Sequence, residues 1–295
     1  MRVLVTGANG MLGRDLCEQL SISQHTPLAT DIAMHEGSAI TPLDITSASD
    51  VLRCFEELKP DVVIHAAAAT NVDACERSPD MAYKVNALGT WCVAAACAKM
   101  NIHLIYISTD FVFDGKKTTP YTEFDTPNPI NHYGASKLAG EKAVQQVCSR
   151  YHIVRTQWLN GAQGKSFASA MIEMAKTKSE WTVVVDQTGC PTFTLDLSRA
   201  VISLLESHMY GTYHIVNRGE CSWYEFAGKV LEMAGIRGVT LHPIPASQWV
   251  SPTRRPAYSV LRRYVLELQG LDHMRSWEEA LEEFLMQRKI LANSN

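Results

Sequence analysis

Two side chains with complementary acid–base chemistry stand four positions apart, Tyr133 and Lys137 in the segment Tyr-Gly-Ala-Ser-Lys. On a helix this spacing places both side chains on one face. A free tyrosine titrates at about pH 10, and a neighbouring ammonium favours the phenolate and lowers the pKa. A tyrosine tuned in this way can donate a proton to a carbonyl oxygen while hydride reaches the carbon. The pair therefore indicates ketone reduction, although the spacing alone arises easily by chance in 295 residues.

The pair gains significance from its position in the chain. It opens a helix expected over 134–149, after the loop that follows a buried strand over 103–107. Ser108, Thr109 and Asp110 stand at the carboxyl end of that strand, where open parallel sheets bind their ligands. We expect a hydroxyl there to hydrogen-bond the same carbonyl oxygen and orient it. The alternative is that Ser108 and Thr109 only cap the end of the strand.

A glycine-rich turn lies between the first strand, 3–5, and the first helix, 11–20. Gly7 suits the tight turn, Gly10 lets a pyrophosphate approach the backbone, and Gly13 lets helix and strand pack closely. The helix N-terminus adds free N–H groups and a partial positive charge. The turn predicted to bind a dinucleotide comprises Gly7, Asn9, Gly10, Met11, Leu12 and Gly13.

Two acidic positions are candidates for the adenosine end of that cofactor. Asp31 closes the second strand, where a carboxylate can accept hydrogen bonds from a ribose and favours NADH. Arg14 follows the last glycine and could instead pair with a 2′-phosphate, so NADPH and NADH both stay open. Asp44 and Ile45 follow an expected edge strand and could border the adenine; a turn role for Asp44 is the alternative.

Strands that are apolar throughout alternate with helices over the first half of the chain. This pattern is typical of a parallel sheet covered on both faces, and right-handed crossovers then build a Rossmann-type, doubly wound α/β fold. After about residue 156 the alternation stops. We expect a dinucleotide-binding domain over 1–156, to which 192–218 returns, and a smaller, interwoven α/β substrate lobe over 157–191 and 219–295.

Composition excludes several classes of protein. Hydrophobic residues make up 46% and charged residues 20%, which argues against disorder, and a net charge of −4 argues against a nucleic-acid partner held by a basic excess. No apolar run approaches the roughly 20 residues of a membrane helix, and the N-terminus has no signal-peptide pattern. The eight cysteines contain no CxxC pair, so neither a zinc site nor a disulfide framework is indicated. We therefore expect a cytoplasmic protein without membrane or nucleic-acid partners.

In combination, these motifs resemble the extended short-chain dehydrogenase/reductase superfamily, which has TGxxGxxG, a Ser or Thr after the fourth strand, and YxxxK in this order. Longer segments resemble the dTDP-4-dehydrorhamnose reductase family across nearly the whole chain. These segments are 65–76 (HAAAATNVDACE), 108–115 (STDFVFDG), 128–134 (NPINHYG), 155–161 (RTQWLNG), 186–192 (DQTGCPT) and 255–259 (RPAYS).

The resemblance implies NADPH- or NADH-dependent reduction of the 4-keto group of dTDP-6-deoxy-L-lyxo-4-hexulose to dTDP-L-rhamnose. It implies that Thr109 polarises the ketone, Tyr133 protonates it, and Lys137 tunes Tyr133 and holds the nicotinamide ribose. Residues implied to line the cofactor are Ala66, Ala67 and Ala68, and those implied to surround the substrate are Val72, Asp73, Asp110, Phe113, Trp158 and Arg255.

The chain departs from the family pattern at Ala69, Phe111, Gln157, Asn160 and 164–167, near the expected sugar or nucleotide pocket. The alternatives are another extended reductase or epimerase of nucleotide deoxysugars, and a non-catalytic regulatory subunit. Family members are also described with Mg²⁺ and as dimers. Glu278 and Glu282, on an acidic helical face, are the candidates for that metal, against an ordinary solvated face. A monomer or a homodimer is expected.

Overall fold

The computed structural model describes residues 1–33 and 39–289. Its strands are β1 (Arg2–Thr6), β2 (Thr26–Asp31), β3 (Thr41–Pro42), β4 (Val62–His65), β5 (His103–Thr109), β6 (Tyr151–Thr156), β7 (Leu159–Asn160), β8 (Glu180–Val184), β9 (Thr188–Gly189), β10 (Thr192–Phe193), β11 (Gly211–His214), β12 (Cys221–Ser222) and β13 (Thr240–Ile244). Its α-helices are α1 (Met11–Ile22), α2 (Ala48–Leu58), α3 (Val72–Arg77), α4 (Pro79–Tyr83), α5 (Thr90–Lys99), α6 (His132–Val147), α7 (Phe167–Ala175), α8 (Thr194–Ser203), α9 (Trp223–Met233), α10 (Tyr264–Gln269) and α11 (Trp277–Gln287).

Seven strands form one parallel sheet in the order β11-β6-β5-β4-β1-β2-β3. The chain runs outward from β1 through β2 to β3, and then returns to β4 on the other side of β1. This reversal opens a crevice at the carboxyl ends of β1 and β4, which is where doubly wound sheets bind ligands. The predicted Rossmann-type α/β fold is confirmed.

The central strands are apolar throughout because helices cover both faces of the sheet. Along β5, Leu104 and Tyr106 face a core that contains Phe55 of α2 and Val93 of α5. Their neighbours Ile105 and Ile107 face the opposite core, with Leu16 of α1 and residues of α8. Successive side chains of a strand alternate between faces, so a strand buried on both sides needs apolar residues at every position.

Downstream of β6 the chain builds a smaller apolar core from α7, α9 and α11 over the short β8–β13 pair. Strand β13 contains a proline, Pro243. Pro243 has no N–H, and β13 tolerates it because other residues make the hydrogen bonds of the pair. The N–H of Thr240 donates to the carbonyl of Ser179, and the N–H of Val185 donates to the carbonyl of Ile244. Strand β11 pairs with β6, and α8 packs on α1. The division into domains stays a prediction.

A π-helical turn, Lys84–Gly89, separates α4 from α5. Within this turn the buried amide of Asn86 accepts the N–H of Ala69 at 2.8 Å and donates to Ser136 Oγ at 3.0 Å. Such turns often occur at functional sites, and this one ties the loop after β4 to α6. None of the helices in the described part of the chain is long and apolar enough to cross a membrane.

Candidate active site

A cavity of about 1050 Å³ opens at the carboxyl ends of β1, β4 and β5. Most of the residues singled out in the sequence lie on its wall. They are Gly7, Asn9, Gly10, Met11, Leu12, Gly13, Asp31, Asp44, Ile45, Ala66, Ala67, Ala68, Val72, Thr109, Asp110, Tyr133, Lys137, Trp158 and Arg255. Arg14, Asp73 and Phe113 do not line it. The fold therefore brings the glycine turn and the Tyr–Lys pair to one cavity.

The glycine turn leaves no room for side chains. Gly7 has φ +72°, and a Cβ there would lie 2.8 Å from the backbone of Ala67. A Cβ on Gly13 would overlap the carbonyl oxygen of Gly7. Helix α1 begins at Met11, and no side chain caps its N-terminus. The open backbone and uncapped N–H groups fit the pyrophosphate of a dinucleotide.

The backbone of Asn9 links the two residues considered for cofactor choice. Asp31 accepts the N–H of Asn9 at 2.9 Å and that of Ala33 at 3.0 Å, while Arg14 Nε donates to the carbonyl of Asn9 at 3.0 Å. Arg14 thus lies outside the cavity wall but next to the turn. Asp44 accepts both the N–H and the hydroxyl of Thr46, and these hydrogen bonds lower its pKa. Asp44 therefore combines the expected turn role with a place on the wall.

Tyr133 lies beside Thr109 because α6 starts against the end of β5. Asn131 caps α6 by accepting the N–H of Gly134 at 2.8 Å. A Cβ on Gly134 would overlap the carbonyl oxygen of Phe111, so only glycine permits this approach. Burial raises the pKa of Tyr133, and the neighbouring Thr109 hydroxyl opposes the shift. The lowering expected from Lys137 is absent, because desolvation of the phenolate raises the pKa and the nearby Asp110 raises it further.

Lys137 is held below the cavity floor. Its ammonium donates to the carbonyl of Ile107 at 2.7 Å and lies 4.2 Å from the ring centre of Tyr106. Burial lowers the pKa of Lys137 to about 7, against the opposing charge of Glu141. A lysine in this state can gain or lose a proton close to neutral pH.

Of the two hydroxyls that end β5, Ser108 is already engaged. It donates to Glu141 at 2.6 Å, and Glu141 accepts two further hydrogen bonds from the buried Arg155. Thr109 is 5% exposed, donates to Asp110 at 3.0 Å and accepts the N–H of Phe111 at 3.2 Å. Thr109 lines the cavity and, unlike Ser108, is not tied to the Glu141–Arg155 pair, although its hydrogen is directed to Asp110 here.

Trp158 reaches the cavity through a left-handed backbone conformation, φ +46°, that is costly for a bulky residue. Its ring stacks on that of Trp223 with 3.5 Å between centroids. A Cβ on Gly189 would meet the Trp158 ring at 2.6 Å. The position of Trp158 is thus compatible both with packing against Trp223 and with contact to a ligand.

One expected sugar contact is corrected, and a second stays a prediction. Phe113 is fully buried and stacks on Tyr121 with 4.3 Å between ring centroids, in a core cluster, so it is not a ligand contact. Asp73 is not on the wall, but its side chain is 33% exposed and accepts a hydrogen bond from the guanidinium of Arg255 at 2.9 Å. Arg255 reaches the wall with its charge already paired.

A magnesium site at Glu278 and Glu282 finds no support. Within 1–33 and 39–289, no three His, Cys, Asp or Glu side chains are grouped so as to hold a metal ion. On the same helix Glu279 caps the N-terminus and Glu283 pairs with Arg275.

Several wall residues were given no role from the sequence. Gln157 was noted only as a departure, Gln187 and Ser259 lie in segments that resemble the family but were assigned no contact, and Trp223 was not considered. They come from segments far apart in the chain, and no spacing rule connects them to the motifs of the first half.

Fold and site together define an oxidoreductase of the extended short-chain dehydrogenase/reductase class. The family model described as RmlD substrate binding domain matches residues 1–290, and the chain belongs to the dTDP-4-dehydrorhamnose reductase family.

The chain is similar to the spore coat polysaccharide biosynthesis protein SpsK of Bacillus subtilis, with 40% identity over 97% of this chain and 98% of that protein. It is also similar to a crystal structure of a dTDP-4-dehydrorhamnose reductase from Clostridium acetobutylicum, with 44% identity, TM-score 0.91, and coverage of 97% of this chain and 99% of the other. A dTDP-4-dehydrorhamnose reductase from Bacillus anthracis in complex with NADP gives 42% identity and TM-score 0.92, with the same coverage.

Proposed function

We propose that this protein reduces the 4-keto group of dTDP-6-deoxy-L-lyxo-4-hexulose to form dTDP-L-rhamnose, with NADPH or NADH as reductant. The observation that carries the proposal is the convergence of Thr109, Tyr133 and Lys137 on the cavity that also contains the glycine turn. The names of its relatives support the same substrate class, and the NADP complex of one neighbour supports a nicotinamide cofactor.

Each residue has one task in this proposal. Thr109 donates a hydrogen bond to the ketone oxygen and so makes the carbon more electrophilic. Tyr133 donates its proton to that oxygen as general acid, since burial keeps its hydroxyl protonated. Lys137 lies one helical turn along α6 and provides a titratable ammonium beneath the site. A bound nicotinamide supplies the hydride.

Binding of the anionic ligands relies on local groups, because the chain carries a net charge of −4. The uncapped N-terminus of α1 serves the cofactor pyrophosphate. Arg255 binds a phosphate of the nucleotide diphosphate, which takes the place of Asp73 as its ion-pair partner. Trp158 offers a flat indole face to the sugar or nicotinamide. The division into cofactor domain and substrate lobe, the cytoplasmic location and the choice of monomer or homodimer stay predictions.

The experiment is a reductase assay with purified protein, in which loss of NADPH or NADH absorbance is followed with the dTDP-4-keto-hexulose. We expect oxidation that depends on the keto-sugar and yields dTDP-L-rhamnose by chromatography. A second dTDP-keto-deoxysugar tests the rival extended reductase, and faster turnover of it would reassign the substrate. Absence of oxidation with either cofactor and every keto-sugar would contradict the proposal.

A further inference from the structure

Asp110 is a buried carboxyl group on the cavity wall without a positive partner. It is 2% exposed, and among the residues the structure describes it takes part in no ion pair. The titratable side chains packed toward it are Tyr133 of α6 and Cys190, between β9 and β10, and neither carries positive charge. A carboxylate buried in this way is strongly disfavoured relative to the neutral acid.

The position of the proton on a neutral Asp110 follows from Gln157. The amide oxygen of Gln157 accepts the backbone N–H of Leu261 at 3.3 Å, and a backbone N–H can only donate. The NH₂ group of Gln157 therefore points to Asp110 Oδ2, at 3.3 Å, and to Ser259 Oγ, at 3.2 Å. Because Oδ2 already receives a hydrogen, the acidic proton belongs on Oδ1, which faces Thr109.

Thr109 has one hydroxyl hydrogen to donate and two acceptor sites. The N–H of Phe111 occupies one acceptor site at 3.2 Å. When Asp110 is ionised, the Thr109 hydroxyl donates to Oδ1 at 3.0 Å and has no hydrogen left for a ligand. When Asp110 is protonated on Oδ1, the direction of this bond reverses. The Thr109 hydrogen is then free to point into the cavity.

We propose that Asp110 is a positioning residue whose protonated form, held in orientation by Gln157, releases the Thr109 hydroxyl to hydrogen-bond the substrate carbonyl. This inference rests on the proposed function. No proton leaves Asp110 in the reaction: the carbonyl π bond breaks, a C–H bond forms with the transferred hydride, and the new O–H proton comes from Tyr133. The active and inactive forms differ by the proton on Asp110 and by the direction of the Asp110–Thr109 hydrogen bond that this proton sets.

The ionisation falls in an accessible range. Burial raises the pKa of Asp110 to about 7, while hydrogen bonds from Ser259, Thr109 and Gln157 oppose the shift. The active form is thus populated below about pH 7 and lost above it. Lys137 also has a pKa of about 7, so the experiment must separate the two groups.

The test compares the pH dependence of kcat/KM for wild type, Asp110→Asn and Glu56→Gln. Asparagine can accept from Gln157 with its oxygen and donate to Thr109 with its NH₂ group, which reproduces the protonated acid at every pH. We expect the kcat/KM of Asp110→Asn to lack the decline that wild type shows above about pH 7. Glu56→Gln removes an exposed carboxyl group on α2 and keeps the wild-type profile. A decline of the same midpoint in Asp110→Asn would assign it to Lys137 and overturn the proposal.

A second measurement uses the protein without substrate or cofactor. The infrared difference spectrum between wild type and Asp110→Asn should contain a protonated-carboxyl band that disappears as the pH rises through about 7. Absence of this band at about pH 6 would overturn the role of Asp110 even in an active enzyme. An intact band in a protein that reduces no keto-sugar would overturn the proposed function, and the role of Asp110 with it.

Discussion

Glu141 and Arg155 form a two-point ion pair in the interior, with Arg155 Nε and Nη2 at 2.9 and 2.7 Å from the two carboxylate oxygens. Both side chains are at most 5% exposed. The pair joins α6 to β6, and Ser108 at the end of β5 adds a third contact to it. The helix that carries Tyr133 and Lys137 is thereby fixed to the two strands that end at the cavity.

Substitution Glu141→Gln should destabilise the fold, because it leaves the Arg155 charge buried without a partner. We expect a loss of about 3–5 kcal/mol in the free energy of unfolding, measured with urea. The control is Glu173→Gln, which breaks the exposed pair with Lys176 and should cost less than about 1 kcal/mol. Similar losses in the two variants would mean that the buried pair contributes no more than a surface pair.

Substitution Tyr133→Phe should remove the proton donor and keep the packing of the ring against Phe111, whose centroid is 5.7 Å away. We expect kcat to fall by about 100-fold or more. The dissociation constant for NADPH, from tryptophan fluorescence, should change by less than about threefold. Tyr83→Phe alters an exposed tyrosine and should leave both quantities unchanged. Full activity of Tyr133→Phe would exclude Tyr133 from the mechanism.

Substitution Gly13→Ala should disrupt the glycine turn, because the new Cβ would overlap the carbonyl oxygen of Gly7. We expect weaker NADPH binding by about tenfold or more and a lower melting temperature. Gly228→Ala in α9 is the matched control, since its Cβ would have no neighbour within 4 Å. The free energy of unfolding of Gly228→Ala should rise by about 0.5–1 kcal/mol, because alanine has the higher helix propensity. Unchanged cofactor binding in Gly13→Ala would show that the turn does not hold the pyrophosphate.

Substitution Arg14→Ala tests the cofactor preference. Arg14 donates to the carbonyl of Asn9, whose N–H binds Asp31, so its guanidinium lies next to the residue expected to bind the adenosine ribose. We expect the KM for NADPH to rise by about tenfold, the effect of one charge-assisted hydrogen bond, with that for NADH unchanged. Arg53→Ala breaks an exposed ion pair on α2 and should change neither the KM for NADPH nor that for NADH. Equal increases for both cofactors would indicate that Arg14 only supports the turn.

Buried neutral histidines should make the fold sensitive to acid. Burial lowers the pKa of His103 to about 3 and that of His152 to about 4, and the two rings share a hydrogen bond of 2.8 Å. Below about pH 6.5 these histidines take up protons in the unfolded chain but stay neutral in the folded chain. The free energy of unfolding is therefore highest above that pH and falls as the pH is lowered.

The measurement is the free energy of unfolding in urea between about pH 6.5 and 4 for wild type and His103→Gln. The free energy of unfolding of the variant should fall less steeply with decreasing pH than that of wild type. The two slopes should differ by up to about 1.4 kcal/mol per pH unit. His242→Gln, at an exposed position on β13, should keep the wild-type slope. Parallel slopes for His103→Gln and wild type would show that His103 does not take up a proton on unfolding.

The architecture of the first half was predictable from the sequence. Strands that are apolar throughout and alternate with helices are required by a parallel sheet with both faces covered. This local pattern therefore predicts the fold that is confirmed. The glycine turn and the Tyr–Lys pair were found for the same reason, since each is a short spacing imposed by one turn or one helix. For the less regular second half the sequence predicted only a substrate lobe, and Pro243 normally argues against the strand that β13 forms.

Phe113 shows the limit of motif reading. It lies in a segment that resembles the family, four residues after Thr109, yet it packs on Tyr121 in the core. Similarly, the expected effect of Lys137 on the pKa of Tyr133 considered only their separation along a helix. Desolvation depends on everything packed around the ring, which no spacing reveals.

The sequence by itself determined the sheet, the phosphate-binding turn and the family, because those features reside in short segments whose spacing carries the information. Only the tertiary structure decided which side chains reach the cavity and in what ionisation state. Thr109, Asp110 and Gln157 illustrate the difference. Thr109 and Asp110 are neighbours in the chain. Gln157 is 47 residues from Asp110 in sequence, and its hydrogen bond to Asp110 determines which carboxyl oxygen carries the proton. The hydrogen bond that sets this chemistry exists only once β5, β6 and the segment near Ser259 have packed together.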